Sequence, residues 1–210
     1  MNNETRWNTR YRDAGDDYLF GIEPNQFLAR RAHLFQDGHT ALSVADGEGR
    51  NSVWLAEQGL NVTAVEISAI AVAKAHKLAA GRSVEVKFIV ADLLAPGWPP
   101  AALEDAFDWV VGIFIQFAPP DERLRQFAAM KRATRRGGRI LLHGYTPRQL
   151  QYKTGGPSDV EHLYTPELLR AAFPDWEIEQ MTEYDDDIAE GSGHRGRSAL
   201  IGMVARKSSS

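Results

Sequence analysis

From Thr40 onward, short apolar runs alternate with segments of helical periodicity, and this alternation limits the folds that the chain can adopt. Each run is rich in β-branched and aromatic residues, as buried strands are. The five runs are residues 40–45, 61–66, 84–92, 107–115 and 139–145. Strands that alternate with helices form parallel βαβ units with right-handed crossovers. The pattern therefore predicts an α/β fold built on a parallel sheet.

The segments between these runs carry recognisable helix ends. Gly59 suits the position just beyond a helix C-terminus, and Ser68 suits an N-cap. A longer helix is predicted to begin at the prolines 119–120 and to stop at Gly137 and Gly138. Helices with such ends fit the crossovers that parallel strands need.

The pattern changes after Tyr145. A helix opened by Thr165 precedes two strand-like runs, residues 176–184 and 197–206. The segment between these runs, 185–196, is too short for a crossover helix, so the two runs are predicted to form an antiparallel hairpin. The sequence therefore predicts seven strands, the last two joined as a hairpin.

Length and composition exclude several classes of protein. The 210 residues suffice for a single domain: we expect a helical N-terminal extension or lid at 1–39, a core at 40–207 and a disordered tail at 208–210. The absence of cysteine rules out disulfides, thiolate zinc sites and cysteine nucleophiles, and the histidines lack metal-ligand spacing. We therefore expect no metal site.

The charge and hydropathy patterns bear on partners. The formal net charge is −4 and the basic residues are scattered, apart from one cluster at residues 131–139 that fits a solvated helix end, so no nucleic-acid partner is expected. The N-terminus has no apolar signal core, and no run approaches the ~20 apolar residues that span a bilayer. We expect a cytoplasmic monomer or homodimer with no membrane partner.

The segment LSVADGEGR, residues 42–50, leads from a strand into a glycine-rich turn. Such a turn lets the backbone approach a ligand closely and aims helix N–H groups at it. The spacing G-x-G-x-x-G of dinucleotide-binding folds would use Gly47, Gly49 and Ser52, whereas G-x-G-x-G would use Ala45, Gly47 and Gly49. Each spacing finds glycine at two of its three positions, so the turn alone leaves both ligand classes open.

Two carboxylates follow the next strands. Glu66 ends the second strand, nineteen residues after Gly47, where a carboxylate accepts both hydroxyl protons of an adenosine ribose. Asp92 ends the third strand on the same edge, where it either accepts from an adenine amino group or caps a turn. Both spacings of the turn therefore point to an adenosine-containing ligand, and the charge of Glu66 disfavours a 2′-phosphate.

At these positions the chain resembles the class I S-adenosylmethionine-dependent methyltransferases. The resemblance covers essentially the whole chain and rests on four segments in order: LSVADGEGR (42–50), VTAVE (62–66), VADLL (90–94) and RRGGRILL (135–142). It implies a Rossmann-like, mostly parallel sheet of seven strands in the order 3-2-1-4-5-7-6, the last strand antiparallel, with helices on both faces. It also implies S-adenosylmethionine as cofactor.

A narrower resemblance concerns the methyl acceptor. WNTRY, YLFGIEPNQFLA and LQYKTGGP are similar to a bacterial subgroup near the tellurite-resistance and thiopurine methyltransferases. That resemblance implies a small-molecule acceptor with a soft sulfur, selenium or tellurium nucleophile, methylated by in-line displacement. An acceptor that is already ionised needs no protein base.

The resemblance also implies a cofactor site in the turn and at the strand ends. Its expected members are Ala45, Asp46, Gly47, Glu48, Gly49, Asn51, Glu66, Ile67, Asp92 and Leu93. The family usually has an acidic residue at the position of Ser43 and a glycine at that of Ala45. Since Ser43 has no carboxylate for the methionine ammonium group, Asp46, Glu48 or a backbone carbonyl are the alternatives.

Acceptor contacts are expected above the carboxyl ends of the strands, where open α/β sheets bind ligands. The candidates are Tyr18, Gln116, Tyr145, Tyr152, His194 and Arg195. The pair His194 and Arg195 suits either an anionic acceptor or a solvated hairpin tip. The polar stretch 146–164 and the N-terminal extension are predicted to close over the site. No residue is singled out as a catalytic base.

Two other functions fit the same residues. A nicotinamide-dependent oxidoreductase would use the G-x-G-x-x-G spacing with Ser52 in place of its third glycine. A protein that binds S-adenosylmethionine without turnover would account for Ser43 and Ala45.

Overall fold

The computed structural model describes residues 2–209, and a seven-stranded sheet lies at its centre. The strands are β1 (Thr40–Val44), β2 (Asn61–Glu66), β3 (Val86–Val90), β4 (Phe107–Ile113), β5 (Thr134–Tyr145), β6 (Trp176–Glu190) and β7 (His194–Lys207). Their order in the sheet is β3-β2-β1-β4-β5-β7-β6. Strands β1 to β5 pair in parallel, and β7 is antiparallel to both β5 and β6. The predicted strand order and antiparallel last strand are confirmed.

Helices flank the sheet and begin at residues that the sequence marks. They are α1 (Asn3–Asp13), α2 (Gln26–Ala29), α3 (Arg50–Glu57), α4 (Ala69–Gly81), α5 (Pro120–Ala133), α6 (Gln149–Tyr152) and α7 (Pro166–Ala172). Ser68 caps α4 and Thr165 caps α7, each accepting a backbone N–H three residues on. Gly59, just beyond α3, has φ 85°.

Apolar cores lie on both faces of the sheet because successive side chains of a strand point to opposite faces. Leu42 of β1 and Val110 of β4 pack in one cluster with Phe127 of α5. The neighbouring Val111 joins the opposite cluster with Leu55 of α3. The central strands are thus buried on both sides, as their continuous apolar runs predict.

The extension predicted to be helical, residues 1–39, is helical only in part. The segment 23–35 is helical only over α2 and a 3₁₀ turn at Ala32–Leu34, whereas the longer helix of this region is α1. Phe27 and Leu28 are buried, so packing on the sheet decides the conformation here rather than helical periodicity.

Two further boundaries are corrected. Helix α5 ends at Ala133, not at Gly137, because Thr134 already pairs with Phe107 of β4. Segment 185–196 is largely strand, since β6 and β7 remain paired to Glu190 and His194. The turn between them is only residues 191–193, and the acidic residues 185–187 and 190 belong to strand β6.

The segment between β5 and α7 contains short helical turns. The polar stretch 146–164 contains α6 and a 3₁₀ turn at Val160–His162. Within residues 2–209, no helix combines the length and the apolar character that crossing a membrane requires. Met1 of the predicted extension and Ser210 of the predicted tail lie outside the described residues.

Candidate active site

A cavity of about 440 Å³ opens at the carboxyl ends of the parallel strands. The turn after β1 and the ends of β2, β4 and β5 form its floor, and helix α1 contributes Trp7 and Tyr11 to its wall. The tip of the β6–β7 hairpin contributes Gly193 and His194. The volume lies within the ~300–1,000 Å³ that small-molecule sites occupy.

The turn after β1 uses three left-handed residues. Ala45, Gly47 and Gly49 have φ of 49°, 65° and 92°. Ser52, by contrast, lies inside helix α3. The backbone therefore has the conformation of the G-x-G-x-G spacing, with alanine where glycine adopts the geometry without strain. For an L-residue this conformation costs about 1–2 kcal/mol.

Asp46 supplies a buried carboxylate beside the position of Ser43. Ser43 Oγ donates to Asp46 Oδ1 at 2.6 Å, and Ser52 Oγ donates to Asp46 Oδ2 at 2.5 Å. Burial raises the pKa of Asp46, while the two hydroxyl donors act in the opposite direction. The acidic group that Ser43 lacks is thus present three residues later, within hydrogen-bond distance of the serine.

Glu48 has a different role in the same turn. Its carboxylate forms a buried ion pair with Lys74 at 2.9 Å and accepts the Leu19 N–H at 2.7 Å. Neither Glu48 nor Gly49 is among the residues that line the cavity. A Cβ on Gly49 would lie 2.8 Å from Ala75 Cβ, so this glycine permits α3 to approach α4.

The two carboxylates at the strand ends lie where the sequence predicts them. Glu66 Oε2 accepts from Gly47 N at 3.0 Å and Oε1 from Ser68 N at 2.9 Å. Burial is the main cause that raises the pKa of Glu66 to about 7. Asp92 Oδ1 accepts from Leu94 N at 2.9 Å, and both Asp92 and Glu66 line the cavity.

Eight of the ten predicted cofactor residues line this cavity. They are Ala45, Asp46, Gly47, Asn51, Glu66, Ile67, Asp92 and Leu93. At Gly47 a Cβ would come within 2.9 Å of Tyr11 Oη, so a side chain here would narrow the cavity.

The acceptor groups of the cavity match the donor groups of S-adenosylmethionine. The cofactor presents an ammonium group, ribose hydroxyls and an adenine amino group, all of which donate hydrogen bonds. The cavity offers the carboxylates of Asp46, Glu66 and Asp92. Each carboxylate oxygen has two lone pairs, and each Glu66 oxygen uses one on a backbone N–H at hydrogen-bond distance. The residues present therefore fit this cofactor.

An aromatic group also lines the cavity. The His194 ring lies between Phe20, at 4.6 Å between centroids, and Phe114, at 4.4 Å. Tyr145 Oη lies 2.6 Å from His194 Nδ1, and Phe114 stacks on Tyr145 at 4.7 Å. Burial, followed by Arg50 and Arg10, lowers the pKa of His194 to about 3, and burial raises the pKa of Tyr145. At neutral pH both groups are therefore uncharged.

Gln116 lines the cavity, but its side-chain amide forms hydrogen bonds with backbone groups. Its Oε1 accepts from Tyr145 N at 2.6 Å, and its Nε2 donates to Tyr145 O at 2.8 Å and to His162 O at 3.2 Å. Gln116 thereby fixes the end of β5 next to the segment that follows α6.

The other three acceptor candidates are not among the cavity-lining residues. Tyr18 Oη donates to Lys74 O at 3.1 Å and packs beside α4, and Tyr152 Oη donates to Asp185 at 2.7 Å on β6. Arg195 is exposed on β7, opposite Ala189. His194 and Arg195 point in different directions because neighbouring strand residues face opposite sides.

Sequence reasoning missed several cavity residues, among them Arg10, Tyr11, Phe114 and His162. Arg10 lies over Trp7 at 4.8 Å, and Trp7 stacks on Tyr11 at 5.7 Å. The spacing of four between these two aromatic residues was the available signal for a helical face. Within residues 2–209, no group of three or more histidine, aspartate or glutamate side chains is arranged to hold a metal ion.

Comparison with known proteins bears on the chain's family. The family described as "Methyltransferase domain" matches residues 41–138, which hold the glycine-rich turn, Glu66 and Asp92. No curated protein matches the chain in sequence.

Similar solved structures extend beyond the matched segment. One, described by the conversion of a disulfide bond into a thioacetal group during echinomycin biosynthesis, has a TM-score of 0.80 at 20% identity and covers 99% of this chain and 93% of its own. A TehB-like methyltransferase from Corynebacterium glutamicum has a TM-score of 0.62 at 19% identity over 97% of both chains. The magnesium protoporphyrin IX methyltransferase from Synechocystis, solved with bound SAH, has a TM-score of 0.65 at 17% identity over 99% of this chain and 88% of its own.

These likenesses concern the fold, whereas the matched domain contains the turn and both strand-end carboxylates. The strand order with its antiparallel last strand agrees with both findings. The matched domain and the shared fold support a class I S-adenosylmethionine-dependent methyltransferase, with S-adenosylmethionine as its cofactor.

Proposed function

We propose that this methyltransferase acts on a small molecule with a soft nucleophile, an ionised sulfur, selenium or tellurium atom. The observation that carries the proposal is the aromatic group in the cavity wall, formed by Phe20, Phe114, Tyr145 and His194. Sulfur makes favourable contacts with aromatic rings, and a cation is attracted to their faces. Polarisable walls therefore suit both a soft acceptor atom and a sulfonium.

A positive charge beside these rings favours an anionic acceptor. The Arg10 guanidinium lies 4.8 Å from the centroid of Trp7 and 5.7 Å from that of Phe20, and Arg10 lines the cavity. Thiolates and the oxyanions of selenium and tellurium carry the complementary charge. An acceptor that is already ionised needs no protein base, and the soft nucleophiles meet that condition most readily.

We assign the cofactor contacts as follows. Asp46 holds the ammonium group, Glu66 the ribose hydroxyls and Asp92 the adenine amino group, with Ile67 and Leu93 as apolar neighbours of the base. When bound, S-adenosylmethionine would supply the methyl group of its sulfonium. The bond between the sulfonium sulfur and the methyl carbon would break as a lone pair of the acceptor atom forms a new bond to that carbon. Residues of this chain position the acceptor in line and exclude water.

Residues 1–39 are proposed to form a lid on a single domain that extends to residue 207. The buried Lys74 donates to the carbonyl oxygens of Tyr11 and Asp17 and to Glu48 of the turn. Gly193 N donates to Leu19 O at 3.0 Å and joins the hairpin tip to the same extension. These contacts attach the lid to α4, to the turn after β1 and to the hairpin tip.

The comparisons lend support to a soft acceptor. One similar structure concerns the chemistry of a disulfide and a thioacetal, in which sulfur is the reacting element, and another is described as TehB-like. The magnesium protoporphyrin IX methyltransferase has the same fold with a different acceptor, so fold alone leaves the acceptor open.

Matched pairs of acceptors provide the test. The protein is incubated with S-adenosylmethionine and one acceptor at a time. Two pairs compare sulfur with oxygen, a thiophenol with a phenol and a thiopurine with a hydroxypurine, and selenite and tellurite are tested separately. The products are identified by mass spectrometry. We expect methylation of the sulfur, selenium or tellurium compounds and much slower reaction of the oxygen analogues. The double variant Glu66→Ala, Asp92→Ala is the control and should form no product.

Faster methylation of the oxygen analogues would overturn the proposal. Saturable cofactor binding by calorimetry with no product from any acceptor would identify a non-catalytic binder instead. Binding of NADH in place of S-adenosylmethionine would contradict the assignment of the carboxylates.

A further inference from the structure

We propose that His194 is a fixed hydrogen-bond donor that, with Arg10, holds the methyl acceptor as its anion, and that it is not a base. The proposal rests on the proposed function, since it concerns the acceptor that this function requires. It narrows the substrate class to compounds that present an anionic or strongly accepting atom next to the methylation site.

The first step concerns the hydroxyl of Tyr145. This side chain is fully buried, and within residues 2–209 the only hydrogen-bond partner of its Oη is His194 Nδ1, at 2.6 Å. A buried hydroxyl donates its hydrogen to whatever acceptor is in reach. Tyr145 therefore donates to Nδ1, which must be the unprotonated ring nitrogen.

The second step fixes the proton of the imidazole. A neutral histidine carries one N–H, and with Nδ1 acting as acceptor that hydrogen lies on Nε2. No described residue donates to or accepts from Nε2, and His194 lines the cavity. The N–H of Nε2 is therefore free to donate to a bound molecule.

The third step concerns rigidity. Phe20 and Phe114 hold the imidazole between them, and Gln116 fixes the Tyr145 backbone through both its N–H and its carbonyl. A Cβ on Gly156 would lie 2.8 Å from Tyr145 Cδ2, so the chain after α6 packs against this ring. The donor is thus held in place before the acceptor binds.

The charges around His194 agree with a neutral donor. Arg50 and Arg10 both disfavour the imidazolium, and Glu190, the carboxylate that acts on Tyr145, is itself paired with Arg50 at 2.7 Å. A proton taken up by His194 would meet two cations. An anion bound between His194 and Arg10 would instead gain two favourable contacts.

The first experiment reads the tautomer without turnover. The protein is labelled with ¹⁵N-histidine and saturated with S-adenosylhomocysteine, and the His194 resonances are assigned by their loss in His194→Gln. We expect the hydrogen on Nε2 at neutral pH, and we expect Tyr145→Phe to release the ring into a mixture of tautomers. A hydrogen on Nδ1 in the parent protein would overturn the proposal, because Nε2 would then be a free base.

A second arm titrates selenite, or a carboxylate-bearing thiol, into the same complex. The Nε2–H signal of His194 should move with saturation, whereas the resonances of the exposed His33 should not. An unchanged His194 signal on saturating binding would also overturn the proposal.

Kinetics separate a donor from a base. His194→Ala should raise KM for an ionised acceptor about 10–100-fold, as expected for a lost hydrogen bond to a charged group, with a smaller change in kcat. His194→Gln keeps an N–H donor and should recover part of this loss, while His33→Ala leaves both constants unchanged. A large fall in kcat confined to protonated thiols would instead identify a base.

The pH dependence gives a further distinction. In a series of thiols, the pH midpoint of the reaction should follow the pKa of each thiol, since the anion is the form bound. If no acceptor is methylated but the Nε2–H responds to selenite, the proposed function fails while the donor assignment holds.

Discussion

Lys74 Nζ lies 2.9 Å from Glu48 Oε1 in an ion pair that is almost fully buried beneath the N-terminal extension. The same ammonium group donates to the carbonyl oxygens of Tyr11 and Asp17. A single side chain of α4 therefore joins the turn below the cavity to the helix above it.

Removing one partner of this pair should be costly. Lys74→Met leaves the Glu48 carboxylate buried without its cation, so we expect the free energy of unfolding to fall by about 3–5 kcal/mol in urea denaturation. The double variant Lys74→Met, Glu48→Gln should recover part of that loss, because no isolated charge remains. Lys77→Met changes an exposed lysine on the same helix and should alter stability by less than about 0.5 kcal/mol. Equal losses from both lysines would contradict the account.

Ala45→Gly should stabilise the protein. Alanine at φ 49° costs about 1–2 kcal/mol, and glycine removes this strain. Glycine also raises the entropy of the unfolded chain, which offsets about 0.5–1 kcal/mol of the gain in stability. We expect a net increase of up to about 1 kcal/mol in the free energy of unfolding. Ala73→Gly, on the exposed face of α4, is the matched control and should destabilise by about 1 kcal/mol. A destabilising Ala45→Gly would mean that the turn is not strained.

Glu66 makes the stability of the ligand-free protein depend on pH. Its pKa is about 7 in the folded protein and near 4.5 in the unfolded chain, so the folded state binds more protons between these values. Stability therefore falls as pH rises through this window and is lowest above pH 7, by up to about 3 kcal/mol.

Glu66→Gln removes that dependence. The variant should exceed the parent protein in stability at pH 8, and the difference should shrink toward pH 4.5 in urea denaturation at several pH values. Glu85→Gln, which changes an exposed carboxyl, should track the parent protein throughout. A pH-independent difference for Glu66→Gln would refute the burial argument.

Asp46 can be tested by moving its carboxylate. Asp46→Ser should weaken S-adenosylmethionine binding about 10–100-fold in calorimetry, because a charge-assisted hydrogen bond to the ammonium group is lost. The double variant Ser43→Asp, Asp46→Ser restores an acidic group at the family's usual position and should recover affinity. 5′-Methylthioadenosine lacks the ammonium group and should bind all three proteins alike. An equal loss for both ligands would indicate a structural role instead.

The fold could be predicted from the sequence because its core strands have a clear pattern. Runs that are buried on both faces, such as β1 and β4, are continuous and apolar, so their presence and their parallel pairing could be predicted. The strand-end carboxylates followed, because parallel strands present their carboxyl ends at one edge.

The aromatic part of the cavity depends on contacts between distant segments. Nothing in the local pattern around His194 indicates that Phe20 and Phe114 enclose it, and the glycines beside it suggest a solvated turn. In the sequence, Glu48 and Asp46 are equivalent acidic residues of the turn. Only the structure shows that Glu48 forms an ion pair with Lys74 of α4. These assignments require tertiary structure, which propensity and spacing do not contain.

The hydrogen bond from Gly193 N to Leu19 O joins the hairpin tip to the N-terminal extension, which lies far from it in the sequence. During synthesis on the ribosome, the glycine-rich turn and its carboxylates emerge long before the hairpin that carries His194. The cavity is therefore complete only when translation is nearly finished. Products that stop before the hairpin lack Gly193 and His194 and therefore have an incomplete cavity.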